Sequence, residues 1–237
     1  MTPQDIYLLS PEISLAGLAL IIVILDVFTK NRFLVQSIIG VGLLVPVIFS
    51  VLLWNGIGIE ASLDSNSQTF GVFNTLVVDK FTLLFKFMFL GILSIVIMSS
   101  VNYVHRFEKT KIEYFSLLIF STVGMMLLSS TRELITIYIA LELTALPMAA
   151  LIAISGNKLS SEAGIKFLIL SAISSALLLY GMVWVYGLTG TTDLAEIFLS
   201  IENMSRQNGS ASMTAFGNYG LLLGVFHLFA CGIPECI

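Results

Sequence analysis

Glu142 is a carboxylate near the middle of an apolar run that is long enough to cross a lipid bilayer. The run is Leu134–Ile154, and Glu142 is its only charged residue. An acidic residue at the centre of a membrane helix costs roughly 2.5 to 3.5 kcal/mol on insertion scales. Ionisable residues at such depths mark ion or proton pathways by default. The residue predicts a proton carrier or an electrostatic switch; the alternative is a buried acid kept for packing specificity.

Pro147 follows Glu142 by five residues in the same run. A proline removes one backbone hydrogen bond and loosens the helical turn that precedes it. Inside a membrane such a position admits water or the side chain of a neighbouring helix. We therefore expect the titratable group to lie beside a local defect in its own helix.

Lys166 carries a second charge, in the next apolar run along the chain. A short turn, Ser155–Ser161, joins the two runs and predicts neighbouring antiparallel helices. Such helices would bring Glu142 and Lys166 within Coulomb range, where pairing in a low-dielectric surround keeps both groups charged. A coupled pair of this kind is suited to moving a proton. The alternative is that the lysine extends its ammonium group to the membrane surface.

Two further charges near helix ends have simpler explanations. Lys86 lies near the end of its apolar run, where it either reaches the membrane surface or pairs with Asp79. Asp26 precedes Lys30 by four residues, a spacing that favours an ion pair at the membrane interface.

Metal binding is a weak prediction for this chain. Its cysteines are Cys231 and Cys236, and no histidine lies near them at the spacing of a metal site. We interpret His105 as a solvated loop residue and His227 as a core residue of the last apolar run. The sequence therefore predicts no metal.

Composition places the chain in a membrane. It has 237 residues, of which 57% are hydrophobic and 11% are charged, whereas a soluble domain is about a quarter charged. The mean hydropathy is +0.98. The net charge of −4 and the absence of a basic patch in the sequence argue against a nucleic-acid partner. The chain is predicted to be a polytopic membrane protein surrounded by a lipid bilayer.

The apolar runs predict an all-α, polytopic transmembrane helix bundle of about six to seven helices in a single membrane domain, residues 1–237. A bilayer core of about 30 Å needs roughly 20 helical residues, and continuous runs favour helices over the alternating pattern of a barrel. The first run lacks a basic segment before it, so we interpret it as a retained span and not a cleaved signal. The predicted helices cover residues 13–28, 33–54, 81–101, 114–130, 134–154, 163–186 and 216–230.

Basic residues predict the orientation. The first, third and fifth connections contain Lys30, Arg32, Arg106, Lys109, Lys111 and Lys158, whereas the even-numbered ones contain Lys80, Arg132 and Arg206. Because basic loops stay in the cytoplasm, the N-terminus is expected on the non-cytoplasmic side. The sixth connection, residues 187–215, is interpreted as a long polar loop.

Several segments resemble one known membrane-protein family, subunit N (subunit 2) of the NADH–quinone oxidoreductase of complex I. Leu134–Ala150, with LELTALP at its centre, resembles that subunit's fifth transmembrane helix, and Ser161–Tyr186 resembles the sixth. The segment Gly190–Leu194, GTTDL, is similar to the loop that follows. Leu9–Asp26 and Val78–Leu84 are similar to the first and third helices.

The resemblance implies a function. The family's antiporter-like subunits, similar to Mrp-type cation/proton antiporters, translocate protons as quinone is reduced elsewhere in the complex. By motif, Glu142 matches the family's fifth-helix glutamate and Lys166 its sixth-helix lysine. The resemblance also implies that NADH, FMN, iron–sulfur clusters and quinone bind to other subunits, with no cofactor in this chain. The expected partners are the other membrane-arm subunits, in a bacterial inner membrane or, alternatively, an organellar energy-transducing membrane.

The C-terminal segment departs from the family's pattern. Family members are about twice as long, with about fourteen helices in two inverted repeats, so this chain resembles the first half of an antiporter-like fold. The segment Leu221–Ile237 lacks the lysine that the family carries in its seventh helix. We expect a truncated or frameshifted product. Two alternatives stay open, namely a free-standing cation/proton antiporter subunit and a structural fragment that does not pump.

Overall fold

The computed structural model describes residues 3–28, 38–55, 69–70, 75–104 and 111–207. Two short strands, β1 (Thr69–Phe70) and β2 (Val77–Val78), pair antiparallel at one end of the molecule. The rest is mainly helical, as predicted. The helices are α1 (Pro3–Leu8), α2 (Ser10–Phe28), α3 (Leu44–Trp54), α4 (Lys80–Val104), α5 (Lys111–Ser130), α6 (Leu134–Ala153), α7 (Lys158–Thr189) and α8 (Leu194–Gln207).

Four helices, α4 to α7, are long and apolar enough to cross a membrane. The helical segments of residues 10–25 and 38–54 are also apolar but shorter. Successive helices alternate in direction, so the starts of α2, α4 and α6 lie at the same face of the bundle. The all-α membrane bundle predicted from the apolar runs is confirmed.

Several helices differ in length from their prediction. The helix predicted over 163–186 is α7, which begins at Lys158 and ends at Thr189. The helix predicted over 33–54 is helical from residue 38 but has a turn at Leu43. Pro46 explains this interruption, because its ring has no N–H and clashes with the carbonyl of Gly42. Other predictions lie outside the described residues: the helix over 216–230, residues 33–37, Lys30, Arg32, His105, Arg106, Lys109, His227, Cys231, Cys236 and the side chain of Asp26.

The interpretation of residues 187–215 as one long loop is wrong, because the segment contains α8. Gly190, at φ 73°, ends α7, and its amide donates to the carbonyl of Tyr186. Asp193 then caps the start of α8 by accepting from the amide of Ala195 at 2.7 Å. Apolar residues at helical spacing, including Ile197 and Ile201, turn one face of α8 onto the ends of α6 and α7. That spacing was visible in the sequence, but the segment is too polar to be identified as a span.

Helix α5 occupies the centre of the described bundle and packs against α2, α4 and α6. Its closest neighbour is α6. A Cβ atom on Gly124 would lie 2.8 Å from the amide nitrogen of Thr144 and 2.9 Å from the carbonyl oxygen of Ala140. Both atoms belong to the α6 backbone and cannot move away cheaply. Glycine at this position is therefore what lets the two backbones approach so closely.

We expect Gly124→Ala to destabilise the protein by about 1–3 kcal/mol, because the added methyl group overpacks the α5–α6 contact. The matched control is Gly91→Ala on α4, where a Cβ atom would meet nothing within 4 Å. Both substitutions exchange glycine for a better helix former, so their difference isolates the packing effect. Thermal unfolding of the purified protein in detergent measures it. Equal unfolding temperatures for the two variants would contradict the close contact.

Candidate functional site

Glu142 lies on the face of α6 that points toward α7. Gly124 on α5 contacts α6 at Thr144, whereas Gly164 on α7 contacts it at Ala153, where an added Cβ would lie 2.8 Å from the Ala153 Cβ. At 3.6 residues per turn, Glu142 is about three turns from Ala153 and on nearly the opposite side from Thr144. The carboxylate is half-buried. It therefore faces the seam between α6 and α7, away from the densely packed α5.

The expected ion pair between Glu142 and Lys166 is not formed. Gly164 lies opposite Ala149 and Ala153, and this antiparallel register places Glu142 opposite about residue 173 of α7. Lys166 is about seven residues, or about 10 Å, nearer the other end of the seam. Its ammonium group binds the carboxylate of Glu162, four residues earlier on α7. The distances of Glu142 and Lys166 from the connecting turn suggested that they would meet, but the register of α6 against α7 places them at different depths.

Lys166 lies on the outer side of α7. Its side chain is 73% exposed and that of Glu162 is 60% exposed in the described chain. With 32 residues, α7 is about 48 Å long and exceeds a bilayer core of about 30 Å. The pair is thus near the end of the helix that begins at Lys158. Both of the sequence's interpretations of Lys166, a proton-transfer group and a surface-reaching lysine, remain predictions.

A polar side chain of α5 reaches α6 close to the proline turn, although not at the carbonyl that Pro147 leaves free. Pro147 is buried in the middle of α6 and leaves the carbonyl of Leu143 without its helical donor. At the next carbonyl, that of Thr144, the hydroxyl of Ser121 on α5 donates a hydrogen bond at 3.4 Å. The hydroxyl of Thr144 in turn donates to the carbonyl of Ala140 at 3.0 Å. The part of α6 that contains Pro147 thus has hydroxyl groups on its α5 side, and it carries Glu142 on its α7 side.

The connection before α6 fixes where that helix begins. Glu133 accepts hydrogen bonds from Thr192 at 3.0 Å and from Thr136 at 3.1 Å, one on each carboxylate oxygen. The amide of Leu134 donates to the carbonyl of Thr192. The start of α6 is therefore bound to the end of α7, and this contact holds the two helices that form the Glu142 seam.

A buried ion pair that the sequence analysis missed joins α2 to α4. Lys86 Nζ lies 2.7 Å from Glu12 Oε1, and the two side chains are 1% and 3% exposed. The expectation that Lys86 reaches the surface or pairs with Asp79 is wrong. The carboxylate of Asp79 instead accepts from the amide of Thr82 at 2.7 Å, capping α4. Lys86 belongs to the apolar face of α4 with Leu83, Leu90, Leu93 and Ile97.

The helical spacing of Lys86 could have identified it from the sequence as a buried residue. Positions 83, 86, 90, 93 and 97 repeat at three and four residues, which is the pattern of a single buried face. Glu12 gave less signal, since it lies in the first turn of α2, where an acidic residue is ordinary. The two residues are 74 positions apart, so their contact became visible only when α2 and α4 were placed side by side.

We expect Lys86→Met to destabilise the protein by about 3–5 kcal/mol, because it leaves the Glu12 carboxylate buried and unpaired. The double variant Glu12→Gln with Lys86→Met removes both charges and should recover most of this loss. Thermal unfolding and assembly into membranes measure both effects. A double variant as unstable as Lys86→Met alone would contradict the ion pair.

Comparison with known proteins finds similarity to subunits of respiratory membrane complexes. A family profile described as NADH:quinone oxidoreductase/Mrp antiporter, transmembrane, matches residues 130–230. The NADH-quinone oxidoreductase subunit N of Dehalococcoides mccartyi is 31% identical over 92% of this chain and 42% of its own length. The subunit N of Desulfitobacterium hafniense is 38% identical over 66% of this chain and 32% of its own length.

A solved structure shares the fold. In respiratory complex I from Thermus thermophilus with bound aureothin, one chain matches with a TM-score of 0.63 and 22% identity. The match covers 90% of this chain and 42% of that chain. The chain thus spans about two-fifths of the length of the relatives that match most of it. With the apolar helices, these similarities identify it as an integral membrane protein.

Proposed function

Because the chain belongs to the antiporter-like subunit N family of NADH–quinone oxidoreductases, we propose that it takes part in proton translocation within a respiratory membrane complex. The observation that carries this proposal is the placement of Glu142. Its carboxylate lies near the middle of a membrane-spanning helix and is half-buried in a helix seam. Among the described residues it has no hydrogen-bond or ion-pair partner. A carboxylate held in this way is available to take up and release a proton.

We propose that Glu142 is the proton-carrying group and that Lys166 acts on it through its charge. The two groups are offset by about 10 Å along the helix axis, and because Lys166 lies on the outer side of α7, its charge would act on Glu142 over a longer distance than in a direct pair. Glu162 holds the ammonium group of Lys166 at its present position. A change in that contact alters the potential at Glu142 without direct contact between them.

The complex as a whole would supply the chemistry that drives this step. We propose that NADH oxidation and quinone reduction take place on other subunits, which also bind the FMN and the iron–sulfur clusters. The chain then contributes to a translocase without reacting with either substrate. The excess of basic residues on the odd-numbered connections supports a non-cytoplasmic N-terminus in a bacterial inner membrane.

We expect Glu142→Gln, placed at the corresponding position of an intact full-length relative, to reduce proton translocation by roughly tenfold or more. A positioned proton-transfer group contributes on the order of 100-fold or more to a rate, and glutamine cannot carry the proton. The measurement is proton uptake by inside-out vesicles, recorded together with quinone reduction and the amount of assembled complex. The matched control is Glu113→Gln, an exposed acidic residue in the first turn of α5. Normal pumping by an assembled Glu142→Gln complex would refute the assignment.

Lys166→Met separates the two interpretations of that lysine. If its charge acts on Glu142, we expect proton translocation to fall while assembly is retained. Lys158→Met is the control, because this exposed lysine begins the same helix eight residues earlier. Equal proton translocation by both variants and the unaltered protein would assign Lys166 to the membrane surface.

The family profile also covers Mrp antiporters, which favours a second candidate function, cation/proton exchange without quinone chemistry. This candidate predicts that proteoliposomes containing the protein exchange Na⁺ for H⁺ in the absence of NADH and quinone. A proton flux that requires both electron donor and quinone would instead support the respiratory role.

A further inference from the structure

A layer of three buried polar residues, one each on α2, α3 and α4, interrupts the apolar packing at one end of the bundle. It consists of Glu12, Ser50 and Lys86, which we call the polar layer. Each of the three is at most 3% exposed. None of them belongs to the Glu142 seam, and the proposed function makes no use of them.

Helical spacing places the three side chains at the same depth. Leu8 at the end of α1, Leu53 on α3 and Leu83 on α4 pack together in a small apolar cluster. The three polar residues lie one turn further into the bundle: Glu12 on α2, Ser50 on the antiparallel α3 and Lys86 on α4.

One turn deeper again the packing returns to apolar residues. Leu15 and Leu90 belong to the main core, and Val47 packs against it. The polar layer is therefore about one turn thick and enclosed by apolar side chains on both sides.

The hydrogen-bonding capacity of the polar layer is only partly used by the described residues. Lys86 Nζ engages Glu12 Oε1 at 2.7 Å, but Glu12 Oε2 has no hydrogen-bond partner among them. The hydroxyl of Ser50 has no partner there either. A lysine ammonium carries three donors. Buried polar groups of this kind are normally satisfied by protein or by ordered water.

Ser116 and Ser130, two other buried serines of the bundle, have hydrogen-bond partners, which distinguishes them from Ser50. Ser116 donates to the carbonyl of Glu113 at 2.9 Å, and Ser130 donates to that of Leu127 at 3.1 Å. Both hydroxyls fold back onto their own helix, the usual solution for serine in a helix. The hydroxyl of Ser50 does not, and helical spacing puts it at the same depth as Glu12, whose Oε2 lacks a donor.

The opposite charges of Lys86 and Glu12 determine which kind of ligand the polar layer could bind. A cation would be repelled by the ammonium group of Lys86, and an anion would be repelled by the carboxylate of Glu12. A neutral molecule that donates to a carboxylate and accepts from an ammonium or hydroxyl group meets both requirements. Water does so with the two to four polar partners that buried water molecules commonly have.

We propose that the polar layer is an internal hydration site, in which at least one water molecule bridges Glu12 and Ser50 beside the ammonium group of Lys86. The water supplies the donor that Glu12 Oε2 lacks and the partner that Ser50 lacks. The Glu12–Lys86 pair is thus a hydrated pair sealed from both membrane surfaces by apolar side chains.

A high-resolution density map of the intact protein in its complex tests the proposal directly. We expect a water peak at about 2.6–3.2 Å from an oxygen of Glu12 and from Ser50 Oγ. The map must resolve ordered waters elsewhere in the membrane-spanning helices. A direct hydrogen bond from Ser50 to Glu12, or a side chain from elsewhere in the chain filling the layer, without a water peak, would overturn the proposal.

Substitution of Ser50 gives a second measurement. Ser50→Val should remove the water peak, because the valine side chain takes the place of the hydroxyl and offers no polar partner. It should also lower the unfolding temperature more than Ser116→Val, the matched control, whose hydroxyl is satisfied by its own helix. A peak that persists unchanged in the Ser50→Val protein would refute the role of Ser50. Equal losses of stability in the two variants would do so as well.

Discussion

A charge inside a bilayer has to be compensated by the protein, and this requirement governs how the N-terminal helices of the chain are arranged. Lys86 and Glu12 are both almost fully buried and lie 2.7 Å apart. Separating them would leave a bare charge among apolar side chains, which costs far more than the pair itself. The contact therefore fixes the depth of α2 relative to α4, and the apolar layers of Leu8 and Leu15 follow on either side.

Helix α5 transmits that arrangement to the rest of the bundle. It packs on α2 and α4 through the main core and on α6 through Gly124. Because a backbone contact this close allows little sliding, α6 is held at a defined depth and rotation. Thr144 then faces α5, and Glu142, two residues earlier, faces the opposite side. The orientation of the candidate proton carrier thus follows from a glycine on a neighbouring helix.

The sequence predicted the membrane class, the helical fold and the depth of Glu142, because each depends on the local run of apolar residues. It did not predict the Glu12–Lys86 pair, since that contact depends on the rotation and register of helices far apart in the chain. Lys86 could have been assigned to a buried face from its spacing. The Glu162–Lys166 pair has the i, i+4 spacing of a helical ion pair and could have been predicted, whereas the expected pairing with Glu142 depended on the register of α6 and α7.

The two charged sites differ in how deeply they are buried, and this difference bears on their roles. Lys86 and Glu12 are 1% and 3% exposed, and their charges hold each other in place. Glu142 is instead half-buried where α6 meets α7 and has no ion-pair partner among the described residues. A group that exchanges protons cannot be locked into a fully enclosed ion pair. The same reasoning gives the enclosed pair a structural role and supports the proposed proton-carrying role of Glu142.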